Sequence, residues 1–180
     1  MQNYLSEIKK ALDAKLYILA ITSALALPDI CARLESTNPD YEKGVGSKYK
    51  QWYKKNAESN CFLSPELCYK YRCSMLHQYS SNNPKSKFKK IAFFLPSLGG
   101  PKFNNCGFQI NLYDEFTNTT RTDEATVIEI DDFVNGMIKS VEDWLQIIKD
   151  NKNYKKNISY LVQPRPNSAL NAIKGDVIIY

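Results

Sequence analysis

The chain is 180 residues long, 43% hydrophobic and 24% charged, with 24 Lys+Arg against 19 Asp+Glu for a net charge of +5. That length suits one domain that buries roughly 70% of its unfolded surface without metal or disulfide staples. With 7 Gly and 8 Pro, collagen-like, low-complexity and largely disordered classes are excluded.

In chain order, residues 4–36 carry helical periodicity through Tyr4, Leu5, Ile8, Leu12, Leu16, Leu19, Leu25, Ile30 and Leu34. Around Leu16–Leu27 the pattern is apolar nearly all round, which predicts a helix enclosed by others. Pro28 lacks the helical donor and clashes with the preceding turn, so a break is expected there. After a loop at Asn38-Pro39-Asp40 and Gly44-Val45-Gly46, Ser47 is placed to cap a short helix from Lys48 to Ala57 that packs through Tyr49, Trp52 and Tyr53. Ser64-Pro65-Glu66 offers a capping hydroxyl, a proline at the first helical position and a carboxylate at the positive end of the dipole. That helix should run to about Gln78, where Ser80-Ser81-Asn82-Asn83-Pro84 stops it. Lys90–Leu95, Gly107–Tyr113 and Thr126–Ile130 are short β-prone runs with hairpin grammar. A strong helix from Asp131 to about Asn151 follows, with Trp144 in its apolar stripe; Ile158–Val162 and Val177–Tyr180 read as edge strands, and Gln163–Asn167 as a loop. The expected organisation is a single domain with core helices in 1–80, a β-prone insertion at 85–130, a closing helix at 131–150 and a tail at 151–180.

Charge and cysteine usage bear on partners and compartment. Residues 1–90 hold 15 Lys+Arg against 8 Asp+Glu, while residues 91–180 hold 9 against 11. The positive excess belongs to the first half, where a polyanion such as nucleic acid is one reading and plain solubility the other. Five cysteines, an odd number with no CxxC pair, read as reduced thiols of an intracellular protein. The longest apolar run, Leu16–Leu27, is 12 residues against the roughly 20 of a bilayer span, so no membrane segment is expected. An export signal before Ala24-Leu25-Ala26 is disfavoured by Glu7, Asp13 and the apolar stripe beyond it.

The one histidine, His77, lies five residues after Arg72 on the helix with the clear start, and Lys85, Lys87, Lys89 and Lys90 follow. Imidazole titrates near neutral pH and can take or give a proton. Guanidinium stays charged and presents a fork matched to phosphate oxygens. On an ideal helix these positions differ by about 140° in azimuth and about 7.5 Å in rise. The heads converge only if Arg72 reaches around the helix or if two chains complement one another. A buried or dipole-facing structural histidine is the alternative from the residues alone. Asp29 and Glu35 are the nearest upstream acids able to orient the pair. Cys68, Cys73 and His77 match no four-ligand zinc spacing, so no metal or other cofactor is expected. Ser74 lacks the orienting acid an acyl-transfer nucleophile needs. Lys54, in the lysine and aromatic run Lys48–Lys55, is a candidate backbone contact for single-stranded RNA; an ordinary amphipathic surface helix gives the same pattern. Gly99-Gly100-Pro101 lacks the Lys-Ser/Thr of a phosphate loop.

Arg72-x4-His77 within Tyr71-Arg72-Cys73-Ser74-Met75-Leu76-His77, together with the long apolar first helix through Leu27-Pro28-Asp29-Ile30-Cys31, resembles the HEPN (higher eukaryotes and prokaryotes nucleotide-binding) superfamily of uncharacterised bacterial type. The likeness covers residues 1–80, and the helix at 131–150 by analogy; Cys73 stands where active members often carry Asn, Asp or His. It implies a mainly α-helical bundle, here with a small inserted or appended antiparallel β element. It further implies a cytoplasmic, metal-independent endoribonuclease with Arg72 and His77 catalytic, and Cys73, Ser74, Asp29 and Glu35 supporting. A homodimer with facing motifs, RNA as substrate, and a role in toxin–antitoxin or phage-defence systems with an antitoxin or regulatory partner follow from the same resemblance. A catalytically inactive dimerisation or nucleotide-binding module of the same type is the alternative.

Overall fold

The first helical segment breaks where the sequence offers neither glycine nor proline. In the computed structural model, which describes residues 1–38, 44–78, 90–95, 106–162, 164–166 and 177–179, α1 (Gln2–Asp13) ends at Lys15, whose φ is +60°. Leu16 N–H donates to the Ala11 carbonyl (2.8 Å) and Lys15 N–H to that of Leu12 (2.9 Å). These are the paired bonds of a left-handed helix stop, made by a lysine that accepts about 1 kcal/mol of steric cost. The expected break at Pro28 does not occur: α2 (Tyr17–Glu35) runs through it. Pro28 is buried among the other helices, and that packing outweighs one lost backbone bond.

Nor is α2 enclosed on every side. Ala20, Ile21, Ala24, Leu25, Leu27, Cys31 and Leu34 are buried, but Leu16, Ile18 and Leu19 are about half exposed. Ile18, Leu19, Thr22, Ala26, Asp29 and Arg33 fall on one stripe at helical spacing. By length and composition α2 is the one described helix able to cross a membrane, and half of that window is buried inside the bundle.

α3 (Val45–Asn56) begins two residues before Ser47, which therefore does not cap it; Gly44, at φ +80°, turns the chain in, and its carbonyl accepts Lys48 N–H at 3.0 Å. Tyr49, Trp52 and Tyr53 are buried, as the periodicity predicts. A single turn, α4 (Glu58–Cys61), leads to α5 (Pro65–Gln78). The Ser64 hydroxyl accepts the Leu67 N–H at 3.3 Å, the expected cap.

β1 (Lys90–Phe94), β2 (Cys106–Asp114) and β3 (Thr119–Glu129) form a sheet in the order β1-β3-β2, with β2 antiparallel and β1 parallel to β3. β3 passes without a loop into α6 (Ile130–Ile148), where Asp131 and Asp132 occupy the favourable first turn. Phe133, Val134, Met137, Val141 and Trp144 fill the core. The tail departs from expectation except at Val177–Ile179, which is a strand as expected. Lys152–Asn157 forms α7, and Ile158–Tyr160 is a 3-10 turn rather than an edge strand. Pro164–Pro166, expected as loop, pairs as β4 with β5 (Val177–Ile179). The result is a mainly α-helical bundle with a small β element, whose three-stranded sheet is mixed rather than antiparallel as expected, because β1 runs parallel to β3. The breaker Ser80–Pro84, the lysines at 85, 87 and 89 and the Gly99-Gly100-Pro101 turn lie outside the described residues.

The C-terminal end of α2 is fixed by another element. The buried Asn157 donates from Nδ2 to the carbonyls of Leu34 (3.1 Å) and Ser36 (2.8 Å), and Asn153 Nδ2 donates to that of Glu35 (3.1 Å). These side chains satisfy carbonyls that a helix C-terminus leaves unpaired. α2 is thereby held in place where it crosses α5.

Candidate functional site

Arg72 and His77 meet within one chain. The Arg72 side chain reaches around α5, and its Nη1 lies 3.1 Å from His77 Nε2. Its Nε lies 2.6 Å from Asp29 Oδ2 on α2. One guanidinium thus ties α2 to the end of α5 and aligns Asp29, Arg72 and His77. The Arg72 and Asp29 side chains are 19% and 18% exposed, so water screens the pair only in part, while His77 is open to solvent.

The electrostatics follow from that partial burial. Removal from water opposes the charge on Arg72, but the Asp29 carboxylate and the Cys73 sulfur outweigh it, and the guanidinium is held above its ordinary range. Asp29 moves up for the opposite reason: burial disfavours its carboxylate by more than Arg72 and His77 restore. The Nε contact lies off the line of a good hydrogen bond, and Asp29 Oδ1 is buried without a hydrogen-bond partner among the described residues. The pair is therefore held by charge more than by alignment. On His77, accepting from a guanidinium uses the Nε2 lone pair, which in the neutral ring puts the proton on Nδ1.

Tyr69 is the member of the cluster that the sequence reading missed. It lies four residues before Cys73 and eight before His77, so all three share a stripe of α5. Burial, then hydrogen bonding to Cys73, push its phenol above the ordinary range. Gly46 makes room for it: a Cβ there would come within 2.6 Å of the Tyr69 ring. The 4-residue spacing was the available signal. Cys73, half-buried and free, touches both Tyr69 and Arg72.

The remaining candidates fall elsewhere. Glu35 is on α2 but engaged at its far end, where its Oε1 accepts the Trp144 indole N–H at 2.7 Å; it orients the core, not Arg72. Ser74 is half-buried on α5, about 160° around the helix from Arg72. Lys54 borders a recess of about 360 Å³ with Lys50, Ser64, Pro65 and Glu66, at the opposite end of α5 from His77. The aromatic residues beside it are in the core, so the lysine run is an amphipathic surface helix without stacking faces. Lys90 opens β1. Among the described residues no group of three or more His, Cys, Asp or Glu side chains is placed to hold a metal ion.

Chemically, the arrangement offers a charged fork with five N–H donors, more than its three contacts use, beside a solvent-facing imidazole. Such a pair can grip an oxyanion and move a proton. Comparison with protein-family models, curated proteins and solved structures returned no match.

Proposed function

We propose that the chain is a HEPN-type, metal-independent endoribonuclease that cleaves single-stranded RNA, with Arg72 and His77 at its centre. What supports it is the line Asp29–Arg72–His77, which joins a phosphate-matched cation to a proton-transfer group at the surface. In this reading a phosphate oxygen takes the Arg72 donors and releases His77 Nε2. That nitrogen accepts the proton of the 2′-OH, the 2′-oxygen attacks phosphorus, and the bond from phosphorus to the 5′-oxygen breaks to leave a 2′,3′-cyclic phosphate. The departing oxygen takes a proton from the His77 of a second copy, whose ring enters the reaction as imidazolium and leaves it neutral. Pairing of two copies is supported by the half-exposed Ile18 and Leu19, which lie on the same stripe as Asp29. Action in the cytoplasm as a toxin or phage-defence effector, restrained by an antitoxin or regulatory partner, belongs to the same proposal.

The test is incubation with single-stranded RNA in EDTA. Cleavage to 2′,3′-cyclic ends that is lost in His77→Ala and in Arg72→Ala is expected; intact RNA with folded, dimeric protein would refute it. The closed Arg72–His77 contact favours a second reading, a catalytically inactive dimerisation or nucleotide-binding module, and nucleotide binding without cleavage in the same experiment selects it.

A further inference from the structure

Among the described residues no strand pairs with the outer edge of β2. β2 ends the order β1-β3-β2, and β1 pairs only with Ala125–Glu129 of β3. Beyond that point Gln109–Asp114 and Thr119–Glu124 continue as a two-stranded arm, about 20 Å long. A two-stranded ribbon alone is marginal in water. Along the arm Gln109, Asn111, Tyr113, Thr120, Thr122 and Glu124 face solvent, and Phe116 at its tip is wholly exposed. The tip itself is tied. Asp114 Oδ1 accepts the N–H groups of Phe116 (2.9 Å) and Thr117 (3.3 Å), and Tyr113 Oη donates to Asn118 Oδ1.

Proteins ordinarily protect such an edge with lysine, proline or a bulge, because its unpaired N–H and C=O groups invite another strand. Cys106–Asp114 contains no Lys and no Pro, and it pairs with β3 over nine consecutive residues without interruption.

We infer that β2 pairs antiparallel with β2 of a second copy about a two-fold axis at Ile110, joining two three-stranded sheets into one. The strand is complementary to itself in that register. Gly107 faces the partner's Tyr113, and an aromatic ring covers the gap a glycine leaves in a strand. Gln109 faces the partner's Asn111, an amide pair suited to cross-strand hydrogen bonding. Asp114 faces the partner's Cys106, so no like charges meet; sliding the seam toward the tip would bring the two Asp114-Glu115 pairs together. The seam lies on a different element from the α2 stripe and does not depend on RNA cleavage.

Sedimentation equilibrium of the full chain carrying Leu19→Asp, which blocks pairing through α2, should still give twice the 20.7 kDa mass of one chain. Adding Gln109→Lys and Asn111→Lys, both at exposed positions, sets lysines face to face across the seam and should reduce the mass to one chain with an unchanged circular dichroism spectrum. Hydrogen exchange provides a second measurement: amides within Cys106–Asp114 should exchange more slowly at concentrations where the dimer forms. A monomeric Leu19→Asp protein, a dimer that the two lysines leave intact, or exchange independent of concentration overturns the inference.

Discussion

Replacing Gly136 with alanine puts a number on the close approach of α4 and α6. In an open helix the change would stabilise the protein by about 1 kcal/mol, because glycine is the costlier helical residue. Here a Cβ at position 136 would stand 2.3 Å from the backbone carbonyl oxygen of Asn60 in α4. A carbon and an oxygen rest at about 3.3 Å, so α4 must retreat by about 1 Å. The obstacle is backbone and has no rotamer to escape into. The retreat also strains the bond from Asn60 Nδ2 to Ser140 Oγ (2.8 Å), whose hydroxyl donates to the Gly136 carbonyl (2.7 Å). Overpacking of this kind costs about 1–3 kcal/mol and the hydrogen bond about 1 kcal/mol. After the helical gain, a net loss of about 1–3 kcal/mol remains. For a domain of this size that lowers the melting temperature by about 2–12 °C. Differential scanning calorimetry of Gly136→Ala against the parent protein reads it directly. The sign decides: a melting temperature equal to or above the parent's refutes the close approach of α4 and α6.

Two further outcomes test the site and its anchor. Asp29→Asn removes a carboxyl whose folded pKa lies above its unfolded value. The penalty for ionising it is absent below the ordinary carboxylate value of about 3.9 and fully present above the raised one. Urea unfolding of the variant relative to the parent should therefore shift in the variant's favour as pH rises from about 4 to 7, even as Arg72 loses its partner; a shift the other way contradicts the burial argument. Trp144→Phe deletes the donor to Glu35, a charge-assisted bond worth about 1.5–3 kcal/mol. In a double-mutant cycle with Glu35→Ala, which removes the acceptor, the two changes should couple by about 1 kcal/mol or more, and simple additivity would remove Glu35 from the core network.

Local chemistry was legible where several signals within one turn agree. Ser64-Pro65-Glu66 starts α5 as read, because cap, proline and carboxylate all act within a turn. The β-prone runs fall in β1, β2 and β3, and the stripe through Trp144 is core. The helix break escaped because Lys15 adopts a left-handed conformation that its side chain does not advertise. Pro28 misled because its cost is local and its compensation is tertiary. At the site, the spacing of Arg72 and His77 raised the question of convergence and the side-chain reach of arginine answers it within one chain. Asp29 was visible as a nearby acid, but its pairing with Arg72 depends on how α2 crosses α5. The same applies to Glu35, which has the same charge six residues later and turns to Trp144 instead.

Six residues separate Asp29 from Glu35 on one helix, and that interval explains why the first can hold a partly buried charge pair. An ion pair this little exposed to water gains only if both partners are held in place, because each has surrendered hydration. Arg72 has four rotatable side-chain bonds and supplies no rigidity of its own. It must come from α2, whose last turn is gripped by Asn153 and Asn157 from α7 and by Trp144 from α6 through Glu35. Those contacts fix the rotation of α2, and with it the face on which Asp29 meets α5. The residues of the C-terminal half therefore position a cluster that lies entirely in the N-terminal half. The positive excess of residues 1–90 acquires a specific form there: one guanidinium neutralised on its inner side by Asp29 and presented on its outer side beside His77.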